Sequence, residues 1–413
     1  MRLLFVHERR GQFGGAETNL RGVARELKNR GHSLALLHGS AGAQERAWED
    51  IFENFFALEP KDRGTTHKAL EEFQPELAYV HKMADLAVLE TLLGSGVPSV
   101  RMVHDHDLYC MRSYKYHVFS RAICKRPASW YCIFPCGAAL ARNRGNGFPL
   151  KWVSYAAKKK EMRLNTRFHR LLVATRYMKN ELLQNGFEED KIEIHPPVPA
   201  NVACQKPGVL ADISDDPAAP GLAKGRNLVL YVGQIIRGKG VDVLLECLAQ
   251  VEAPFECVIL GEGNHRAYCE ELSRRLGLAD RVRFLGMVPQ ENLRQYFCQA
   301  RLLALSSVWP EPFGGAGLEA MRHGLPVVGF DAGGIGEWLL DGQNGFLVPW
   351  MDRRQFAARI EQLLLDEPLA RELGRTGARL IANRFDFSEY INGLEHTFEQ
   401  VRSEARVEER VSA

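Results

Sequence analysis

Short apolar runs and amphipathic helical stretches alternate along this chain in two separate series. In the first series LLFVH (3–7), LALLHG (34–39), LAYVHK (77–82), PSVRMVHD (98–105), LLVAT (171–175) and IEIHP (192–196) read as buried strands. Between the first two lies GAETNLRGVARELKNRG (15–31), an amphipathic helix that ends at Gly31. The second series is NLVLYVG (227–233), FECVILGEG (255–263), RVRFLG (281–286), RLLALS (301–306) and LPVVGF (325–330), with GFLVP (345–349) completing it. Strand, helix, strand at this spacing implies parallel, doubly wound sheets. The stretch between the series is rich in Pro, Gly, Ala and Asp and has no periodicity, so residues 205–226 read as a linker. At 413 residues two cores are the natural expectation. The predicted architecture is α/β with a first Rossmann-like domain over 1–204 and a second over 227–385. Ligands of such sheets bind beyond the carboxyl ends of the strands, and a cleft between two such domains is the default site.

Composition narrows the function classes. Net charge is +2, with 25% charged and 46% hydrophobic residues, as in an ordinary soluble enzyme rather than a nucleic-acid coat. The opening MRLLFVHERR is too short an apolar run for a signal peptide, and no run reaches the roughly 18 apolar residues of a membrane span. A cytoplasmic protein is therefore expected, in which nine scattered cysteines do not form a disulfide framework.

One stretch carries chemistry. In EPFGGAGLE (311–319) two glutamates bracket a proline, a phenylalanine and three glycines. Glu311 precedes Pro312 and is biased away from helix, whereas Glu319 would lie inside a helix starting near Gly314 and running to Gly324. The glycines leave amides bare at the helix N-terminus, which suits an anion. Two acceptors with amide donors between them match the layout of a nucleotide sugar. On spacing alone, a helix with a glycine-rich start and two surface glutamates fits equally well.

From these residues outward the chain resembles a family 4 retaining glycosyltransferase of the GT-B fold. The resemblance covers most of the chain and is densest in VLYVGQIIRGKGVDVLLECL, VILGEG, VRFLGMVP and WPEPFGGAGLEAMRHGLPVVGFDAGGIGEWLLDGQNGFLVP, within 228–349. The family's pair of glutamates eight apart matches Glu311 and Glu319. The resemblance implies that Glu311 holds the donor sugar's hydroxyls, Glu319 the ribose, and the amides around Phe313, Gly314 and Gly315 the sugar and phosphates. It also implies that Lys239 in RGKG meets the diphosphate and that backbone near Met287 and Val288 meets the base. Gln234 stands where the family usually has an arginine, and Arg237 is the candidate to replace it. In GQFGGAET (11–18), Gly14, Gly15 and Ala16 resemble the family's glycine loop, and His104 resembles its donor-contacting histidine. Each has a plainer reading: a solvated lysine, a tight turn, a structural histidine. The implied activity is retaining transfer from a UDP- or GDP-sugar to a glycan or lipid-linked acceptor, in bacterial surface polysaccharide assembly. No catalytic metal is implied, since nothing resembles an Asp-x-Asp site and basic residues supply the charge. Another GT-B activity, such as an epimerase or phosphorylase, or a non-catalytic sugar-nucleotide binder, are the competing readings.

Two regions lie outside that pattern. Cys110, Cys124, Cys132 and Cys136 fall within 27 residues, a cluster that suggests a structural zinc, although its C-x13-C-x7-C-x3-C spacing fits no familiar ribbon or finger, and that reads otherwise as ordinary packing thiols. Residues 101–170 hold 15 Lys plus Arg against three Asp plus Glu. Within them KWVSYAAKKKEMR (151–163) reads as a basic, aromatic-bearing helix suited to peripheral contact with the inner, anionic face of a membrane, or as a solvated face or a patch for an anionic acceptor. No nucleic-acid motif accompanies the charge. Near the end, Phe387, Tyr390, Ile391, Leu394, Phe398 and Val401 recur at helical spacing. In the resembling fold this last helix, over 386–405, crosses back to complete the N-terminal domain.

Overall fold

The computed structural model describes residues 1–11, 14–39, 48–59, 64–142, 150–198 and 227–412. The expected linker at 205–226 and Cys204 lie outside the described residues. The chain divides into two compact units. The first holds Met1–Lys115, Lys125–Asn201 and Asp386–Ala413; the second holds Tyr116–Cys124 and Val202–Phe385.

The first unit is built on seven strands: β1 (Arg2–His7), β2 (Ser33–Gly39), β3 (Asn54–Leu58), β4 (Leu77–Val80), β5 (Ser99–Val103), and, beyond a small ribbon of β6 (Leu140–Arg142) and β7 (Leu150–Trp152), β8 (Arg170–Val173) and β9 (Ile192–Ile194). They lie in the order β3-β2-β1-β4-β5-β8-β9, all parallel. A parallel sheet is covered on both faces, so its strands are apolar throughout rather than alternating. Leu3, Leu4, Phe5 and Val6 of β1 are accordingly all buried. The helix Gly15–Asn29 packs Leu20, Val23, Ala24 and Leu27 inward, one face at helical period.

The second unit repeats the plan. Its strands β10 (Leu228–Val232), β11 (Glu256–Leu260), β12 (Val282–Gly286), β13 (Leu302–Leu305), β14 (Val327–Phe330) and β15 (Gly345–Val348) lie in the order β12-β11-β10-β13-β14-β15 and are all parallel. In each sheet the chain winds one way from the central strand and then the other. The switch points fall between β1 and β4 and between β10 and β13, where doubly wound sheets hold their ligands. Both units are Rossmann-like, as the strand pattern predicts.

The last helix, Phe387–Ser412, belongs to the first unit. Asp386 caps it, its carboxylate accepting from the Glu389 amide at 2.9 Å. Tyr390, Ile391, Leu394, Phe398 and Val401 are buried. Tyr390 meets Asn19 at 3.3 Å, Phe398 stacks edge-on against Tyr79 with ring centres 5.1 Å apart, and Glu395 takes Arg30 at 2.6 Å and His32 at 2.7 Å. Among the described residues no helix is long and apolar enough to cross a membrane.

The basic stretch at 151–163 is not one helix. Trp152 ends β7, and the helix begins only at Tyr155, after Ser154 caps the Ala157 amide at 3.2 Å. A serine side chain that binds the backbone here ends the strand and starts the helix within two residues.

Candidate functional site

The loops after β10 and β13, neighbours across the second switch point, are stitched together by backbone. Val308 and Trp309 amides donate to the Gly238 carbonyl at 2.9 and 3.0 Å, and the Ser306 hydroxyl donates to the Lys239 carbonyl at 3.2 Å. Gly240 turns the chain there at φ +68°, and a Cβ on it would meet the Ser306 oxygen at 2.1 Å. Only glycine fits such a conformation at such an approach. The stitching brings Lys239 Nζ to 2.7 Å from Glu311 Oε1 and to 5.0 Å above the Trp309 ring.

Glu311 is buried and held at both its backbone and its side chain. Its amide donates to the Ala332 carbonyl at 3.0 Å, and its carbonyl accepts from Gly334 at 2.7 Å. This pairing with the segment after β14 replaces helix at a residue that Pro312 already biases away from it. Its carboxylate also accepts from Ser307. Burial pushes the Glu311 carboxyl up, but the Lys239 ammonium and the hydrogen bonds from Lys239 and Ser307 outweigh it and hold the group below the ordinary glutamate value. The site therefore keeps a carboxylate ionised where burial alone would neutralise it.

The helix that follows runs Gly315–Arg322, ending two residues before the expected Gly324, with Gly314 at φ +80° as its N-cap. Beneath it lies Trp338, whose indole donates to the Phe313 carbonyl at 2.6 Å and whose ring sits where a Cβ on Gly317 would be, 2.2 Å away. Gly315 differs: a Cβ there meets nothing within 4 Å. No side chain caps this N-terminus, so its first amides suit an anion. Glu319 is half-buried on this helix, and Phe313 is buried against Phe385.

Of the remaining candidates in this unit, Gln234 is exposed just past β10, and Met287 and Val288 follow β12, with Met287 70% exposed. Arg237 donates one guanidinium nitrogen to the Val118 carbonyl. Val118 lies in Tyr116–Cys124, which packs on this unit through Arg121 and Asp242 (3.2 Å) as well. Arg237 is thus partly engaged within the protein.

In the first unit Gly14 caps the helix after β1 with extended backbone, Gly15 and Ala16 begin it, and a Cβ on Gly15 again meets nothing within 4 Å. His104 directly follows β5. Its Nε2 lies 2.8 Å from Nδ1 of His81, which follows β4, and the two rings stack with centres 5.1 Å apart. His7, at the end of β1, lies 6.3 Å from His81. Burial, aided by the neighbouring His7 and Lys82, pushes His104 down to about 3; burial likewise holds His81 well below its ordinary value. Lys82 pairs with Asp105 at 2.9 Å and with Asp107. Sequence reasoning missed Ser307, Trp309, Trp338 and His81. The available signal was position alone, since each lies in a loop beyond a strand's carboxyl end.

The four cysteines are not gathered. Cys110 packs against the first unit's core, Cys132 and Cys136 against a small cluster of Met111, Ala138 and Ala139, and Cys124 belongs to the second unit. Among the described residues no three His, Cys, Asp or Glu side chains are grouped to hold a metal ion. Cys247, Cys257 and Cys269 are core packing residues.

Two family models match in succession. Residues 13–198 match "Glycosyltransferase Family 4" and residues 212–380 match "Glycosyl transferases group 1". The chain belongs to the family 4 glycosyltransferases. Among curated family members, it is 30% identical over 223 residues to a D-inositol 3-phosphate glycosyltransferase of Corynebacterium diphtheriae, covering 52% of each chain. It is 31% identical over 158 residues to a lipopolysaccharide core biosynthesis glycosyltransferase of Rhizobium meliloti, covering 38% of this chain and 45% of that one. The chain spans about half the length of the curated relatives it matches. Among solved structures, Anabaena HepE in complex with UDP and glucose superposes with a TM-score of 0.73 at 21% identity, covering 97% of this chain and 100% of that one. WaaG, a glycosyltransferase involved in lipopolysaccharide biosynthesis, gives 0.67 at 17%, covering 97% and 99%. At these identities the likeness is one of fold, and that fold is GT-B.

Proposed function

We propose that this family 4 member is a retaining, metal-independent glycosyltransferase that uses a nucleotide diphosphate sugar. The observation that carries the reading is the buried, ionised Glu311, held by Lys239 at a switch point beside a bare helix N-terminus. Sugar hydroxyls donate to the carboxylate, the diphosphate meets the ammonium and the Gly314–Gly315 amides, and the ribose meets Glu319. The reaction breaks the bond from the anomeric carbon to the diphosphate oxygen. Negative charge then grows on the leaving group, where Lys239 and the amides stabilise it. The acceptor oxygen bonds to the same face of the anomeric carbon, and its proton passes to a phosphate oxygen. Lys239 supplies the charge that a metal ion would otherwise bring. Arg237, partly engaged by Val118, adds less, and the exposed Gln234 adds none. His104 and the Gly14–Gly15–Ala16 turn are the first unit's proposed contributions to donor binding, and backbone near Met287 and Val288 is proposed for the base.

The solved relative with bound UDP supports a uridine nucleotide, with GDP as the alternative. The relative named for lipopolysaccharide core synthesis supports a glycan or lipid-linked acceptor in bacterial surface polysaccharide assembly. The excess of basic residues at 101–170 supports peripheral contact with the cytoplasmic, anionic face of a membrane.

The test separates the two glutamates. Glu311→Gln is expected to lower hydrolysis of the donor sugar at least about a hundredfold. UDP binding should be no weaker, because the freed Lys239 remains for the diphosphate. Glu319→Ala is expected to weaken UDP binding about tenfold, as loss of a hydrogen bond to a charged group does. Equal loss of UDP affinity in both variants would overturn the assignment.

A further inference from the structure

Among the described residues of 130–155 the first unit inverts the usual distribution of side chains. The cluster packed inside is small: Met111, Ala138 and Ala139, with Val153 and Tyr155 against it. The large apolar side chains lie outside. Among the described residues thirteen large hydrophobics are exposed, and seven of them fall within 114–152. Scattered exposed apolar residues need no explanation, but such a concentration marks a binding surface.

Five of the seven lie on a turn and a ribbon of the first unit that are fastened to one small cluster. The Phe134 amide donates to the Trp130 carbonyl at 3.2 Å, so the two side chains sit one helical turn apart on the same side, 70% and 75% exposed, with Ile133 beside them. Leu140 on β6 and Trp152 on β7 are directly paired across the antiparallel ribbon, which puts them on one face, and both are exposed. The Ala138 amide donates to Cys132 at 2.8 Å and the Val153 amide to Ala139 at 2.7 Å, fastening turn and ribbon to the shared small cluster.

The charge of the same segment identifies what covers it. From residue 108 to 160 there is no Asp or Glu, while eleven residues are Lys or Arg. Lys125 and Arg126 are exposed just before the turn. A carbohydrate platform pairs aromatic rings with carboxylates or amides that bind hydroxyls. Here the rings are mixed with Ile133 and Leu140, and no carboxylate occurs in the segment. Lys115 and Arg121 are taken up by Glu181 and Asp242, but exposed apolar side chains preceded by the exposed Lys125 and Arg126 match the boundary between headgroups and acyl chains in an anionic bilayer. The helix Tyr155–Asn165 is a weaker candidate. Its Tyr155 packs inward, Lys158 is bound to Glu161 at 2.6 Å, and Lys160 is bound to Glu90 at 2.7 Å.

We propose that Trp130, Ile133, Phe134, Leu140 and Trp152 form a membrane-docking surface that inserts into the interfacial layer of an anionic bilayer, with Lys125 and Arg126 on the headgroups. The proposal rests on the membrane contact of the proposed function and moves it from the basic helix to the turn and ribbon.

The test is co-sedimentation of the full chain with vesicles of phosphatidylcholine alone and with roughly a quarter phosphatidylglycerol. The wild type is expected to bind the anionic vesicles at least about tenfold more tightly, with binding falling as salt rises. Trp130→Ser with Trp152→Ser is expected to weaken that binding at least about tenfold. Lys125→Glu with Arg126→Glu is expected to abolish the preference for anionic lipid. Unchanged UDP binding checks the fold of the variants. Strong vesicle binding that the tryptophan pair does not affect would overturn this surface and leave membrane contact elsewhere intact. No vesicle binding at all would overturn both. Binding of soluble dextran sulfate, lost in the tryptophan variant without vesicle binding, would assign the patch to a glycan. A dimer that dissociates in that variant would assign it to a second copy. Donor hydrolysis without lipid is read separately and tests only the transferase reading.

Discussion

Replacing Lys239 with methionine keeps the stem and removes the charge, leaving Glu311 buried without its cation. Breaking a fully buried ion pair from one side costs about 3–5 kcal/mol. Here the lysine side chain is 23% exposed against 4% for the glutamate, and Ser307 still donates, so about 2–3 kcal/mol is expected. For a unit of this size that lowers the melting temperature by roughly 5–10 °C. The pH dependence is the sharper signature. In the wild type the Glu311 carboxyl lies below its ordinary value, so the pair's stabilisation is present above the unfolded-state value of about 4.3 and is lost only as pH falls through the lower folded value. In Lys239→Met the largest remaining influence is burial, which raises the carboxyl above its unfolded value. That variant is penalised above about pH 4.3 and relieved as pH falls towards it. Melting followed by tryptophan fluorescence should therefore give curves far apart near neutrality that converge in mild acid. Adding Glu311→Gln to Lys239→Met should recover most of the loss. A gap that stays constant with pH, or a double variant no more stable than the single, would refute the account.

Acid should also loosen the first unit through its histidines. His104 titrates at about 3 in the fold against about 6.5 unfolded, so its contribution is complete above about pH 6.5 and is lost as pH falls towards 3, by up to about 1.4 kcal/mol per pH unit. His104→Asn is expected to flatten that slope in circular-dichroism melts, and an unchanged slope would exclude His104 as its source. Truncation after Arg384 removes Tyr390, Ile391, Leu394, Phe398 and Val401 from the first unit's core. At about 1.5–3 kcal/mol each, the loss matches or exceeds a domain's whole margin. Limited proteolysis should then find the first unit degraded and the second protected, whereas a protected first unit would contradict the packing described.

What the sequence made legible follows from how local each signal is. β1 and β10 read directly because both faces of a parallel strand are buried, which leaves an uninterrupted apolar run. β3 was missed because Asn54–Leu58 is a short edge strand in which only Phe56 and Leu58 are buried, and four apolar residues after Asn54 are too few to tell strand from loop. Glu311, Glu319 and Lys239 were each visible as candidates beyond strand ends. Their arrangement was not, because the ion pair joins residues 72 apart and depends on Gly240 turning under Ser306. The segment Tyr116–Cys124 was invisible as part of the second unit for the same reason, since its anchors at Arg237 and Asp242 lie over a hundred residues away. That Lys158 and Lys160 of the basic stretch are paired was not legible, because charge counting cannot tell which lysines have partners.

The return of the helix Phe387–Ser412 to the first unit also fixes the order in which the protein can be completed on the ribosome. Domains generally fold as units, N-terminal first, as they emerge. Here the second unit's residues are all synthesised before that helix, so it can close while Tyr79 and Asn19 still lack Phe398 and Tyr390. The half made first is finished last. During that interval the nascent first unit has an uncovered apolar face, the kind of surface that chaperones capture.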